Sequence, residues 1–117
     1  MILNPSQATK SSAEKPYGGD GYMDVLSYIT DKTRPAGSKF SLGAEISLPP
    51  GAGVGYHTHP SDEEIYFIVK GTGCYVENDK SEHPVSPGFF TLCPRGEGHA
   101  IKNNSNDTLT FLAFIAE

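Results

Sequence analysis

A chain of 117 residues leaves room for one domain, and its 37% hydrophobic and 20% charged content argue against wholesale disorder. A net charge of −5 with no Lys/Arg cluster disfavours nucleic-acid partners, which need a basic face against phosphates. No apolar run approaches a bilayer span, and "MILNPSQATKSS" lacks the apolar block of a signal peptide, so the expected location is cytoplasmic, with no membrane partner.

Residues 1–20 are polar and punctuated by Pro5, Pro16, Gly18 and Gly19. They read as an N-terminal arm with little structure of its own, ahead of a domain at 21–117. "YMDVLSYI" (22–29) is the first expected strand, and "DKTRPAGS" (31–38) is a loop. "KFSLGAEISL" (39–48) alternates, with Phe40, Leu42, Ala44, Ile46 and Leu48 on one face of a half-buried strand. "PPGAGVG" (49–55) is a turn, followed by a short strand through His57 and His59. "EEIYFIVKG" is another strand, and "GCYVEN" and "SEHPVS" form a hairpin. "FFTLC", "HAIKN" and "LTFLAFIAE" complete the set, separated by the turns "PRGEG" and "NSND". No helical period appears, so the expected class is all-β, a sandwich or barrel. Cys74 and Cys93 read as small hydrophobes with thiols in a reducing compartment.

Residues i and i+2 of a strand point to one side, so His57 and His59 present two imidazoles to the same face. Such a pair can chelate a divalent cation. Glu63 and Glu64 face opposite ways, and both faces of their strand carry apolar residues, so periodicity leaves open which carboxylate points inward.

With "GFFTLCPRGEGHAIKN" (88–103) the chain resembles the cupin superfamily. The first cupin motif is matched by Gly51, His57, His59, Glu64 and Gly71, the second by Gly88, Pro94, Gly96, His99 and Asn103. Two gapped motifs in the right order make a strong signal. The resemblance covers about the last two-thirds of the chain and implies a double-stranded β-helix, or jelly-roll barrel. It selects Glu64 over Glu63, because six residues separate the ligand from Gly71. Carried over residue by residue, it implies the metal ligands His57, His59, Glu64 and His99, with Asn103 structural. One departure is Phe89, where many relatives have Asp. A set of three imidazoles and a carboxylate suits one divalent transition metal, Mn, Fe, Ni, Co, Cu or Zn, over Mg or Ca.

Tyr66 shares the face of Glu64, Tyr75 lies on the next strand and Arg95 in the turn before His99; these are the pocket candidates. The expected function is that of a metal-dependent enzyme, of isomerase, lyase, decarboxylase or dioxygenase type, acting on a small polar metabolite such as a sugar or keto acid. The alternative is a non-catalytic small-molecule binding cupin with a structural or ligand-orienting metal; fold alone does not decide between them. A homodimer is the assembly the resemblance implies. The C-terminal strand, apolar on both faces, supports it.

Overall fold

Period-2 alternation and frequent turn residues produce ten strands in the computed structural model, which describes residues Met1–Glu117. The strands are β1 (Thr9–Glu14), β2 (Tyr22–Thr30), β3 (Phe40–Leu48), β4 (Gly53–Thr58), β5 (Glu63–Lys70), β6 (Gly73–Val76), β7 (Glu82–Val85), β8 (Phe90–Cys93), β9 (Gly98–Lys102) and β10 (Leu109–Ala116). A six-stranded sheet has the order β1-β2-β3-β10-β5-β8, and a four-stranded sheet the order β4-β9-β6-β7. All pairings are antiparallel. The architecture is a double-stranded β-helix. Its core includes Ile46, Leu48, Val54, Ile68, Ile101, Leu109 and Phe111, all buried.

The four motif glycines, Gly51, Gly71, Gly88 and Gly96, all have φ between 82° and 92°. Most side chains avoid that region. At Gly71 a side chain would also run into the Thr108 carbonyl oxygen. These glycines therefore turn the chain back at strand ends, which keeps the histidine-bearing strands in register.

Residues 1–20 correct the expectation of an arm with little structure. They form a capped 3₁₀ turn at Pro5–Gln7, strand β1 and a second 3₁₀ turn at Pro16–Gly18. β1 pairs along its whole length with β2, from Thr9 opposite Ser27 to Glu14 opposite Tyr22. Its side chains are nearly all exposed. An edge strand held by backbone hydrogen bonds, with polar residues on both faces, has no alternation to reveal it. A second correction concerns Phe40, which is 47% exposed although it shares the alternating pattern of Leu42–Leu48. Opposite it the register with β10 slips, Ile115 pairing with Leu42 and Ala116 with Phe40, so the bulge takes Phe40 out of phase.

Candidate metal centre

β4 and β9 pair so that His57 lies directly opposite His99. β4 ends at Thr58, so His59 lies just past the strand and not within it as expected. Backbone bonds extend the pairing: His59 N donates to Glu97 O at 2.9 Å and Gly96 N to His59 O at 2.7 Å. Glu64 comes from β5 in the other sheet and is 4% exposed, whereas Glu63 is exposed. The inward carboxylate is thus Glu64. Its Oε1 lies 3.0 Å from His99 Nε2, 3.2 Å from His59 Nε2 and 3.9 Å from His57 Nε2. One donor atom from each of the four residues lies within 4.8 Å of every other.

The outer ring nitrogens are all engaged. His57 Nδ1 donates to Gly55 O at 2.8 Å, and His59 Nδ1 to Asp62 Oδ1 at 2.7 Å. A carbonyl and a carboxylate can only accept, so both neutral rings carry their proton on Nδ1 and turn an Nε2 lone pair inward. His99 Nδ1 lies 2.7 Å from the Tyr75 hydroxyl, which accepts its proton when His99 Nε2 is free. Tyr66 stacks on the inner side of His99, ring centroids 4.9 Å apart and 20° from parallel.

Electrostatics follow from this crowding. Burial pushes the Glu64 carboxyl up, but the three imidazoles around it, which face it with N–H and positive charge once protonated, outweigh burial and hold the group well below the usual carboxylate range. The hydrogen bond to Glu64 raises His59 against the opposing effect of burial, with Asp62 adding to the rise. Burial lowers His99, though Glu64 works the other way. Burial foremost, then the charge of Glu64, keeps the Tyr66 phenol protonated far above its ordinary value. Three lone pairs and a carboxylate, converging with side-chain exposures of 1–9%, suit a metal ion. A cation held there would offset the cost of desolvating them.

A cavity of about 100 Å³ opens beside the cluster. His57, His59 and Glu64 form its polar wall, and Met23, Leu42, Ile46, Val54 and Ile115 its apolar one; Tyr17 and Tyr66 complete it. No lysine or arginine reaches it. Of the pocket candidates, Tyr66 lines the cavity, Tyr75 stands behind His99, and Arg95 is exposed on the turn before β9, outside the cavity wall. A larger cleft of about 410 Å³, between Lys10, Asp24 and Glu45 on the outer sheet face, shares no residue with the cluster. Asn103 fulfils its structural expectation: its amide donates to Leu48 O and Asp107 O, and its Oδ1 accepts from Ser105.

Asp62 and Tyr17 are the site residues that sequence reasoning missed. Asp62 had a local signal, a carboxylate three positions after His59. Tyr17 had none, since its place is set by how the segment before β2 folds back.

The family model for the cupin domain matches residues 44–115. The chain belongs to the cupin family. An oxalate-binding protein of Thermotoga maritima is 33% identical over 115 residues, spanning 98% of this chain and 93% of that protein. The crystal structure of a predicted oxalate decarboxylase from Thermotoga maritima superposes on this cupin with a TM-score of 0.89, at 32% identity, covering 99% of this chain and 98% of the other. A polyketide cyclase from Streptomyces resistomycificus shares the fold at a TM-score of 0.75 and 20% identity, over 99% of this chain and 78% of the other.

Proposed function

We propose that this cupin binds one divalent transition metal through His57, His59, Glu64 and His99, and through it a small chelating carboxylate of the oxalate class. Nitrogen-rich donors favour Mn, Fe, Co, Ni, Cu or Zn over Mg or Ca. The observation that carries the reading is the composition of the cavity wall. Its charged and imidazole groups all belong to the metal cluster, and the rest is apolar or phenolic. A ligand's charge therefore has one place to go. Such a metal supplies a Lewis-acidic centre that neutralises a carboxylate. The residues do the rest: the hydrogen bonds of Gly55, Asp62 and Tyr75 fix the imidazoles, and the apolar wall excludes water from the bound anion. The name of the Thermotoga oxalate-binding protein agrees with this reading.

The enzymatic reading is carried by a different observation, the likeness to a protein described as a predicted oxalate decarboxylase. Breaking the C–C bond of oxalate leaves a carbon that must take up a proton. Apart from the cluster itself, the cavity wall offers only the phenols of Tyr17 and Tyr66 for that step. Tyr66 holds its proton tightly. Binding is what the wall itself supports, and turnover rests on the likeness alone.

Two further parts of the reading concern setting and assembly. Cys74 and Cys93 are buried and unpaired, which fits a reducing cytoplasm. Phe67, Phe90 and Leu92 expose apolar surface on neighbouring strands of the six-stranded sheet, which fits a homodimer through that face. The chain has no helix long and apolar enough to cross a membrane.

Equilibrium dialysis of metal-loaded and metal-stripped protein against labelled oxalate tests the function. The expected result is retention by the loaded protein alone, with oxalate recovered unchanged. Recovery as formate and carbon dioxide would replace binding by catalysis, and no retention by loaded protein would refute the ligand class.

A further inference from the structure

The segment before β2 does more than lead into the barrel. Lys15 and Tyr17 both sit in the left-handed region, at φ 45° and 50°, where bulky residues are rarely found. Two backbone bonds pin the segment: Lys15 N donates to Gly21 O at 2.7 Å, and Gly53 N donates to Asp20 O at 2.9 Å. Its backbone lies directly on β4. A side chain at Gly19 would overlap the Gly53 carbonyl, and one at Gly55 would overlap the Tyr17 carbonyl. Glycine on both sides of the contact permits that approach.

The result is a fixed ring over the metal cluster. Tyr17 stacks on His57 with centroids 4.0 Å apart and planes within 11°. Tyr17 is 66% exposed, with one face of its ring on His57 and the other toward solvent, while the His57 side chain beneath it is only 9% exposed. Tyr17 is the one exposed residue in the cavity wall; Met23, Leu42 and Ile115 are half-buried beside it. The mouth of the cavity therefore lies at Tyr17. The volume of about 100 Å³ beneath it is far below the roughly 300–1,000 Å³ of pockets that take drug-sized ligands.

We propose that Tyr17 is the specificity-determining residue of this site, a rigid roof that shields His57 and sets the upper size of the ligand. The size limit rests on the carboxylate reading above; the shielding does not. The roof admits a two-carbon dicarboxylate and excludes longer ones. It is held in place by the Gly19 and Gly55 contacts of its backbone.

The test uses wild type, Tyr17→Ala and Tyr17→Phe, each loaded with cobalt and checked for metal content. Release of cobalt to EDTA is followed by absorbance, and calorimetry measures oxalate, malonate and succinate binding. Tyr17→Ala should release metal several-fold faster and gain binding of malonate and succinate, while Tyr17→Phe, which keeps the ring, should match wild type in both. An unchanged release rate in Tyr17→Ala overturns the roof whatever the ligand turns out to be. Where wild type binds oxalate, an unchanged size limit in Tyr17→Ala overturns it equally. Wild type that binds none of the three acids refutes the carboxylate reading, and the release rate still decides the role of Tyr17.

Discussion

The Nε2 atoms of His59 and His99 face each other at 3.1 Å, with Glu64 Oε1 within 3.2 Å of both. Two neutral imidazoles whose outer nitrogens hold the protons cannot hydrogen-bond to each other through those inner atoms. The arrangement makes chemical sense when a cation lies between the lone pairs.

Glu64 and Glu63 provide the sharpest contrast. Glu64→Gln removes the only anionic donor of the cluster and should weaken metal binding by more than about 100-fold, beyond the usual effect of losing an outer partner. Glu63→Gln alters an exposed side chain and should leave affinity within about twofold of wild type. Competition with a chromophoric chelator measures both. Equal losses in the two variants would refute the assigned facing.

Asp62 and Tyr75 engage the outer ring nitrogens of His59 and His99 without lining the cavity. Asp62→Ala and Tyr75→Phe should each lower metal affinity by about 10–100-fold while keeping the donor set intact. Circular dichroism and melting curves near wild type would separate this from misfolding. Wild-type affinity in both variants would show that the outer hydrogen bonds do not position the imidazoles.

Much of this was legible in the sequence, through strand alternation for the His57 and His59 pair and through the likeness to the two cupin motifs for the full set. His57, His59 and His99 sit at or beside paired strands whose bounding glycines fix the turns, so spacing carries over into space. Glu64 became distinguishable from Glu63 only through the cupin motif, which sets the distance from the ligand to Gly71, because both faces of β5 are apolar. β1 and Tyr17 were illegible for another reason. β1 is held by backbone bonds that any polar sequence can make. Tyr17 reaches His57 through a left-handed turn and a glycine-on-glycine contact between distant segments. Neither leaves a local pattern.

The pH dependence has a definite sign. Only neutral imidazoles ligate, and the Glu64 hydrogen bond raises His59 above its ordinary 6.5. His59 therefore gains its competing proton before His99, which burial lowers and which follows at more acid pH. Glu64 stays ionised throughout, because its carboxyl is held well below the usual range. Metal affinity should thus fall steadily between about pH 7 and pH 5. A profile flat over that range would contradict the role of His59.

Assembly can be tested without disturbing the barrel. Phe90 is 63% exposed on β8, opposite the exposed Phe67 of β5. Phe90→Glu therefore costs the single chain little, but in the proposed homodimer it would place a charge inside the apolar interface at several kcal/mol, roughly the cost of an unpaired buried charge. Light scattering at micromolar concentration should give a dimer for wild type and a monomer for Phe90→Glu. A wild-type monomer would refute the interface.

The metal content of the protein tests the central claim most directly. Wild-type protein, dialysed against a mixture of divalent metals and then against buffer, should retain about one transition-metal ion per chain by elemental analysis, with no matching retention of magnesium or calcium. Protein that retains none of Mn, Fe, Co, Ni, Cu or Zn would contradict the account at its base.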